Sequence, residues 1–159
     1  MCFVAVLEAE GFFPGGCVVK KSTGQREITV KRLAGSLPEA RVFLREVLKQ
    51  SALPEYQRGL VALAVDEVVS AVVESTAPAS AGTIRLAVDV SDVAVRIEIE
   101  DSENSFGNGL TDENTLAQAR DNNQRREIAV YFICEIMDEI YYTYQKGFEN
   151  RLVMVKFIK

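Results

Sequence analysis

The chain has 159 residues, 48% of them apolar, and a formal net charge of −5. That length buries one sizeable core and is short for two, so a single domain over residues 26–159 behind an N-terminal extension at 1–25 is expected. The acidic balance, with no long basic run, argues against nucleic acid and anionic membranes as partners, because both need a field of Lys and Arg to neutralise phosphate.

The opening run Met1 to Leu7 is apolar but has no basic flank, and Glu8 and Glu10 cut it short, so it does not read as a signal peptide. No stretch approaches the roughly 18 apolar residues of a membrane span, and a cytoplasmic protein is expected. Gly11, Pro14, Gly15, Gly16 and Gly24 make residues 1–25 an irregular extension with room for one short strand. Arg26 to Leu33 alternates as a strand, with Ile28 and Val30 on one face and Thr29 and Lys31 on the other.

A helix is expected to begin at Ser36, where Ser36 and Glu39 have the S-x-x-E spacing of a capping box and Pro38 is tolerated in the first turn. Leu37, Ala40, Leu44, Val47 and Leu48 form its apolar stripe, and Leu53-Pro54 ends it. A second helix runs from about Glu55 to Ser75. It is apolar around most of its circumference, with Asp66, Ser70 and Glu74 as a narrow polar edge, so it should lie largely buried on a sheet.

Thr83 to Val90 and Val93 to Ile99 alternate cleanly across the two-residue gap Ser91-Asp92, which predicts an antiparallel hairpin. Ile84, Leu86, Val88, Val90, Val93, Val95, Ile97 and Ile99 point inward, while Arg85, Asp89, Arg96 and Glu98 mark the opposite face, the pattern of a sheet covered by helices on one side. From Phe106 to Gln124 periodicity is lost and Asn, Gly and Asp accumulate, which indicates a functional lid or disorder. Ala129, Phe132, Ile133, Ile136, Met137 and Ile140 then fall at helical spacing. Tyr141 to Tyr144 and Arg151 to Ile158 close the chain as a second hairpin about Lys146 to Glu149. The order predicts an α+β two-layer sandwich, about three helices on one face of a mixed, mostly antiparallel sheet.

The absence of histidine excludes Ser-His-Asp and Cys-His chemistry and removes the commonest metal ligand. Cys2, Cys17 and Cys134 are an odd, scattered set that suits a reducing compartment better than a disulfide framework. The acidic residues Asp89, Asp92, Glu98, Glu100, Asp101 and Glu103 lack the spacing of a defined cation loop and read as solvated surface. Tyr141, Tyr142 and Tyr144 with Phe148 and Phe157 read as sheet packing rather than a partner patch.

Three local patterns in fixed order carry a resemblance: Ala64 to Ala71 on the buried helix, Ile97 to Phe106 running out of a strand, and Ile128 to Tyr142 crossing from helix into strand. From about Ile28 to Ile158 the chain resembles the ATP-binding domain of anti-sigma-factor serine/threonine kinases, in the superfamily shared by gyrase, histidine kinases and mismatch-repair ATPases. The resemblance implies a Bergerat-type fold and a helix-borne Glu as general base toward the attacking hydroxyl, followed four residues later by an Asn that helps hold Mg²⁺. Glu67 matches the Glu, and Ala71 stands where the Asn would be. The residue-level alternative for Glu67 is an ordinary boundary carboxylate, snorkelling to water or paired with an Arg.

The resemblance also implies an Asp that accepts a hydrogen bond from the adenine amino group, then two alternating glycines. Asp101 keeps the position, Glu103 and Ser105 replace the glycines, and Phe106 matches an aromatic that often follows. A capping role at a strand exit is the alternative for Asp101. The glycine-rich, phosphate-cradling turn of the third helix falls on Arg126, Glu127 and Ala129. Arg126 with Arg125 could replace those glycines as phosphate ligands, or form a solvated charged first turn.

The residues thus nominate Glu67 as the catalytic candidate, Asp101, Ser105, Phe106 and Arg126 as nucleotide-binding candidates, and no metal ligand. The resemblance implies a regulator that binds a sigma factor or its phosphorylatable antagonist, with a degenerate nucleotide site and no required cofactor. Its alternatives are an active kinase using ATP and Mg²⁺, and a ligand-free dimerisation or scaffold domain; a homodimer is compatible with each.

Overall fold

Period-two and helical patterns alternate along the chain, and the computed structural model follows them through residues 3–8, 24–74, 82–102, 125–144 and 150–159, which are the residues described. The elements are β1 (Phe3–Glu8), β2 (Arg26–Lys31), α1 (Leu37–Leu48), α2 (Glu55–Glu74), β3 (Thr83–Val90), β4 (Ala94–Asp101), α3 (Arg125–Ile136), β5 (Glu139–Tyr144) and β6 (Asn150–Phe157). One sheet has the order β1-β5-β6-β4-β3-β2. The β1–β5 pairing is parallel, with Phe3 opposite Glu139, and the other four are antiparallel. The fold is therefore the expected α+β sandwich on a mixed, mostly antiparallel sheet. The short strand foreseen in the N-terminal extension is its edge strand β1.

The core lies between that sheet and the helices. Ile84, Leu86 and Val88 of β3 and Ile97 and Ile99 of β4 have no solvent exposure, and the register sets Leu86 opposite Ile99 and Val88 opposite Ile97. Leu44, Val47 and Leu48 of α1 and Val61, Val65 and Val68 of α2 close over them. Each such side chain contributes about 1.5–3 kcal/mol by leaving water, so this face is what holds the layers together.

Several local expectations are corrected. Ser36 does not cap α1: it sits in a 3₁₀ turn, Ala34–Ser36, with helical φ and ψ of −93° and −12° and no side-chain cap bond. A capping serine needs extended backbone, and the Ser36 amide already donates to Leu33 O at 2.9 Å. Val93 is 49% exposed rather than inward. The Ser91 hydroxyl donates to Ala94 O at 2.9 Å and the Ser91 amide does the same at 2.9 Å, so the turn takes one more residue than the sequence gap indicated and β4 starts at Ala94.

The second helix is less enclosed than its composition suggests. Val61, Ala64, Val65, Val68, Val69 and Val72 are buried, but Tyr56, Leu60 and Leu63 are 66%, 43% and 42% exposed, and Ser70, assigned to the polar edge, is buried. A helix packed on one sheet between two other helices still has a fourth side, and a two-layer fold leaves that side to water. Phe132, placed in the apolar stripe of α3, is 40% exposed, and Ile140 belongs to β5 although its side chain is buried as expected.

The helix-to-strand join after α3 is held by charge. Lys156 donates to the Ile136 carbonyl at 2.7 Å, satisfying an acceptor at the helix C-terminus, and lies 3.2 Å from Asp138, which in turn accepts from the Phe157 amide at 2.8 Å. On the sheet face away from the helices, Glu100 is bound by Arg85 at 3.0 Å and by Arg151 at 2.5 Å, while Glu98 meets Arg85, Arg96 and Arg151 at 3.2–3.5 Å. Glu98 and Glu100 are each only 8% exposed. The reading of these carboxylates as solvated surface is overturned, because the arginine side chains lie over them.

Candidate functional site

Asp101 is the last residue of β4. Alternation continues the inward series Ile97, Ile99 onto it, and it is fully buried. Ser102 then fixes the strand end: its amide donates to Thr83 O at 3.1 Å and its hydroxyl accepts from the Thr83 amide at 2.8 Å. A carboxylate held inside in this way needs a compensating charge.

Arg32 supplies it. The residue follows β2 directly, and the same alternation that turns Ile28 and Val30 inward turns Arg32 inward. Its Nε lies 3.2 Å from Asp101 Oδ1, with the two side chains 1% and 0% exposed. The Nε–H is not aimed along that line, so this contact is a charge pairing rather than an aligned hydrogen bond. Arg32 Nη2 donates to the Val72 carbonyl of α2 at 3.2 Å, and its amide to Gly82 O at 3.0 Å. The guanidinium therefore ties the last turn of α2 to the end of β4. Arg32 was not among the sequence candidates, although the signal was present in the alternation Ile28, Val30, Arg32.

Glu67 lies on α2 and is half-buried. Its neighbour Asp66 turns toward α1, where Arg41 binds it through Nε at 2.5 Å and Nη2 at 3.1 Å. The hydrogen bond with Asp66, then that carboxylate's charge and more weakly that of Glu67 hold the Arg41 guanidinium above its ordinary pKa against partial desolvation. Glu67 thus sits within the field of an arginine. Ala71, one turn further on, is half-buried and presents a methyl group.

Of the remaining candidates, Arg126 is in the first turn of α3. Ser105 and Phe106 lie outside the described residues, as do Glu103, the 106–124 connection and Phe148. Among the described residues no three acidic or Cys side chains converge as a cation group, and no helix is long and apolar enough to cross a membrane.

The α+β sandwich, with a strand-end Asp beneath the last turn of the helix that carries Glu67, is consistent with an ATPase domain of the histidine kinase type. The model of the histidine kinase-like ATPase domain matches residues 30–156, most of the chain, and the protein belongs to that family. Membership puts it among nucleotide-binding regulatory or kinase-like domains. No curated protein matches the chain.

Proposed function

We propose that the protein is a regulator of the anti-sigma kind that acts by binding a protein partner, a sigma factor or its phosphorylatable antagonist, through a domain whose nucleotide site is degenerate. The observation that carries this reading is the Arg32–Asp101 pair. Adenine would offer Asp101 an amino N–H donor, whereas the Arg32 guanidinium already supplies that carboxylate's compensating charge in a site closed to water. Displacing it would leave a buried charge uncompensated.

The other changes act in the same direction. Magnesium takes six hard oxygen ligands, and the Ala71 methyl offers none. By the resemblance, Arg126, Glu127 and Ala129 replace the glycines whose bare amides would receive phosphate. Losing several charge-assisted contacts of about 1–3 kcal/mol each moves a micromolar site to millimolar or weaker. The residues present therefore do not fit Mg-ATP.

Calorimetric titration with Mg-ATP tests the reading. No heat of binding is expected at physiological nucleotide concentrations. Micromolar, metal-dependent affinity would overturn the degenerate site in favour of an active serine/threonine kinase with Glu67 as its base.

A further inference from the structure

A groove of about 500 Å³ runs along the outer surface between α1 and α2, on the side of α2 that carries Asp66. Its floor is apolar: Leu44 and Leu48 of α1 face Val65 and Val69 of α2, with Leu86 of β3 beneath. These residues are 0–3% exposed, so the groove is closed below, and its accessible apolar lining is Leu37 and Ala62, both half-buried, with the exposed Leu63. A rod laid along it fits better than a compact molecule sunk into it. Its α2 lip is Leu63, and Tyr56, Leu60 and Leu63 recur at spacings of four and three to prolong the apolar surface as an outward stripe.

The walls are cationic on a protein that is acidic as a whole. Arg41, Arg45, Lys49 and Arg58 line the groove against only two carboxylates, Glu55 and Asp66. Arg41 is engaged by Asp66 and Lys49 by Glu46. Arg45 and Arg58 have no ion-pair partner among the described residues. A second copy of the chain docked here about a two-fold axis would bring like-charged lips together.

We propose that this groove receives an amphipathic helix of a protein partner, with acidic residues flanking an apolar stripe at i, i+3, i+4 and i+7. α1 has 12 residues, so a docked helix of about three turns spans it. Leucine-sized side chains meet Leu37, Ala62 and the Leu63 lip, and the acidic flanks meet Arg45 and Arg58. The inference rests on the partner-binding reading above but does not depend on the state of the nucleotide site.

The test uses the full chain and two fluorescein-labelled helical peptides of 18 residues with the same Leu stripe, one flanked by Glu and one by Lys. By anisotropy at low salt, the Glu peptide is expected to bind at least about tenfold more tightly than the Lys peptide and to weaken as salt rises. Arg45→Glu, Arg58→Glu and Leu63→Asp are each expected to weaken it about tenfold or more with melting temperature unchanged, since all three side chains are at least partly exposed. Equal binding of the two peptides, no binding of the Glu peptide, or charge reversals without effect would overturn the proposal. So would a dimer in sedimentation that Leu63→Asp dissolves, because the occupant would then be a second copy. Tight Mg-ATP binding would overturn the degenerate-site reading and leave the peptide result standing, whereas failed peptide binding with silent ATP titration would remove the groove alone.

Discussion

Arg32 and Asp101 leave the ends of two different strands on the same inward face and meet at 3.2 Å, both shielded from water. A buried pair of this kind is weak evidence of stabilisation, since taking two charges out of water costs nearly what their attraction returns. Breaking it by removing one partner is another matter. Arg32→Met or Asp101→Leu alone is expected to lower the unfolding free energy by about 3–5 kcal/mol, and the double variant to recover much of the loss. Urea denaturation of the four proteins in the cycle measures this; additive single effects would show that the two residues are not coupled.

Glu67→Gln separates the readings of the helix carboxylate. In a degenerate site the amide is expected to change stability by no more than about 1 kcal/mol and to leave partner binding intact. No phosphoryl transfer to a serine or threonine substrate is expected from either protein. Radiolabelled phosphate transfer by the wild type that disappears in Glu67→Gln would establish the general base instead.

Stability should fall in acid through Glu100. Burial pushes its carboxyl up, but the Arg151 charge and the Arg85 hydrogen bond and charge outweigh burial and hold it below the ordinary range. A depressed folded pKa gives stability that is present above the unfolded value near about 4.3 and lost as pH falls through the folded one. Denaturation midpoints from pH 6 to pH 2.5 are expected to drop below about pH 4.3, and less steeply in Glu100→Gln.

Tyr141 gives a spectroscopic signature at the other end of the scale. Its hydroxyl donates to Glu139 at 2.7 Å. That bond, with burial and the carboxylate charge, pushes the phenol up to about 12. The stability contributed is complete below the unfolded value near about 10 and is lost as pH rises through the folded one. Of the five tyrosines, this one is expected to ionise late in ultraviolet titration. Glu139→Gln should bring it back toward about 10.

Two β-branched positions on one hairpin test the register. Ile97 is fully buried and Val93 is 49% exposed. Ile97→Ala is expected to cost about 2–5 kcal/mol, while Val93→Asp stays within about 0.5 kcal/mol. A large loss at Val93, measured by thermal melting, would contradict the turn closed by the Ser91–Ala94 bonds that sets it outside the sheet.

Period-two alternation through Ile84 to Val90 and Val95 to Ile99, and the helical stripe Ala40, Leu44, Val47 and Leu48, by themselves determined the elements and their buried faces. Side-chain direction along a strand or helix is a local property, readable from spacing alone. Local spacing also carried Arg32 and Asp101 inward, but it could not bring them together: that required β3 to pair with both β2 and β4, which are separated by two helices in the chain. Only the tertiary structure decided that the strand-end carboxylate is met by a guanidinium, that the arginines cover Glu98 and Glu100, and that α2 turns Tyr56, Leu60 and Leu63 to water beside a cationic groove. Those outcomes depend on which distant groups share a low-dielectric interior and which side of a helix remains uncovered, and both are set by packing.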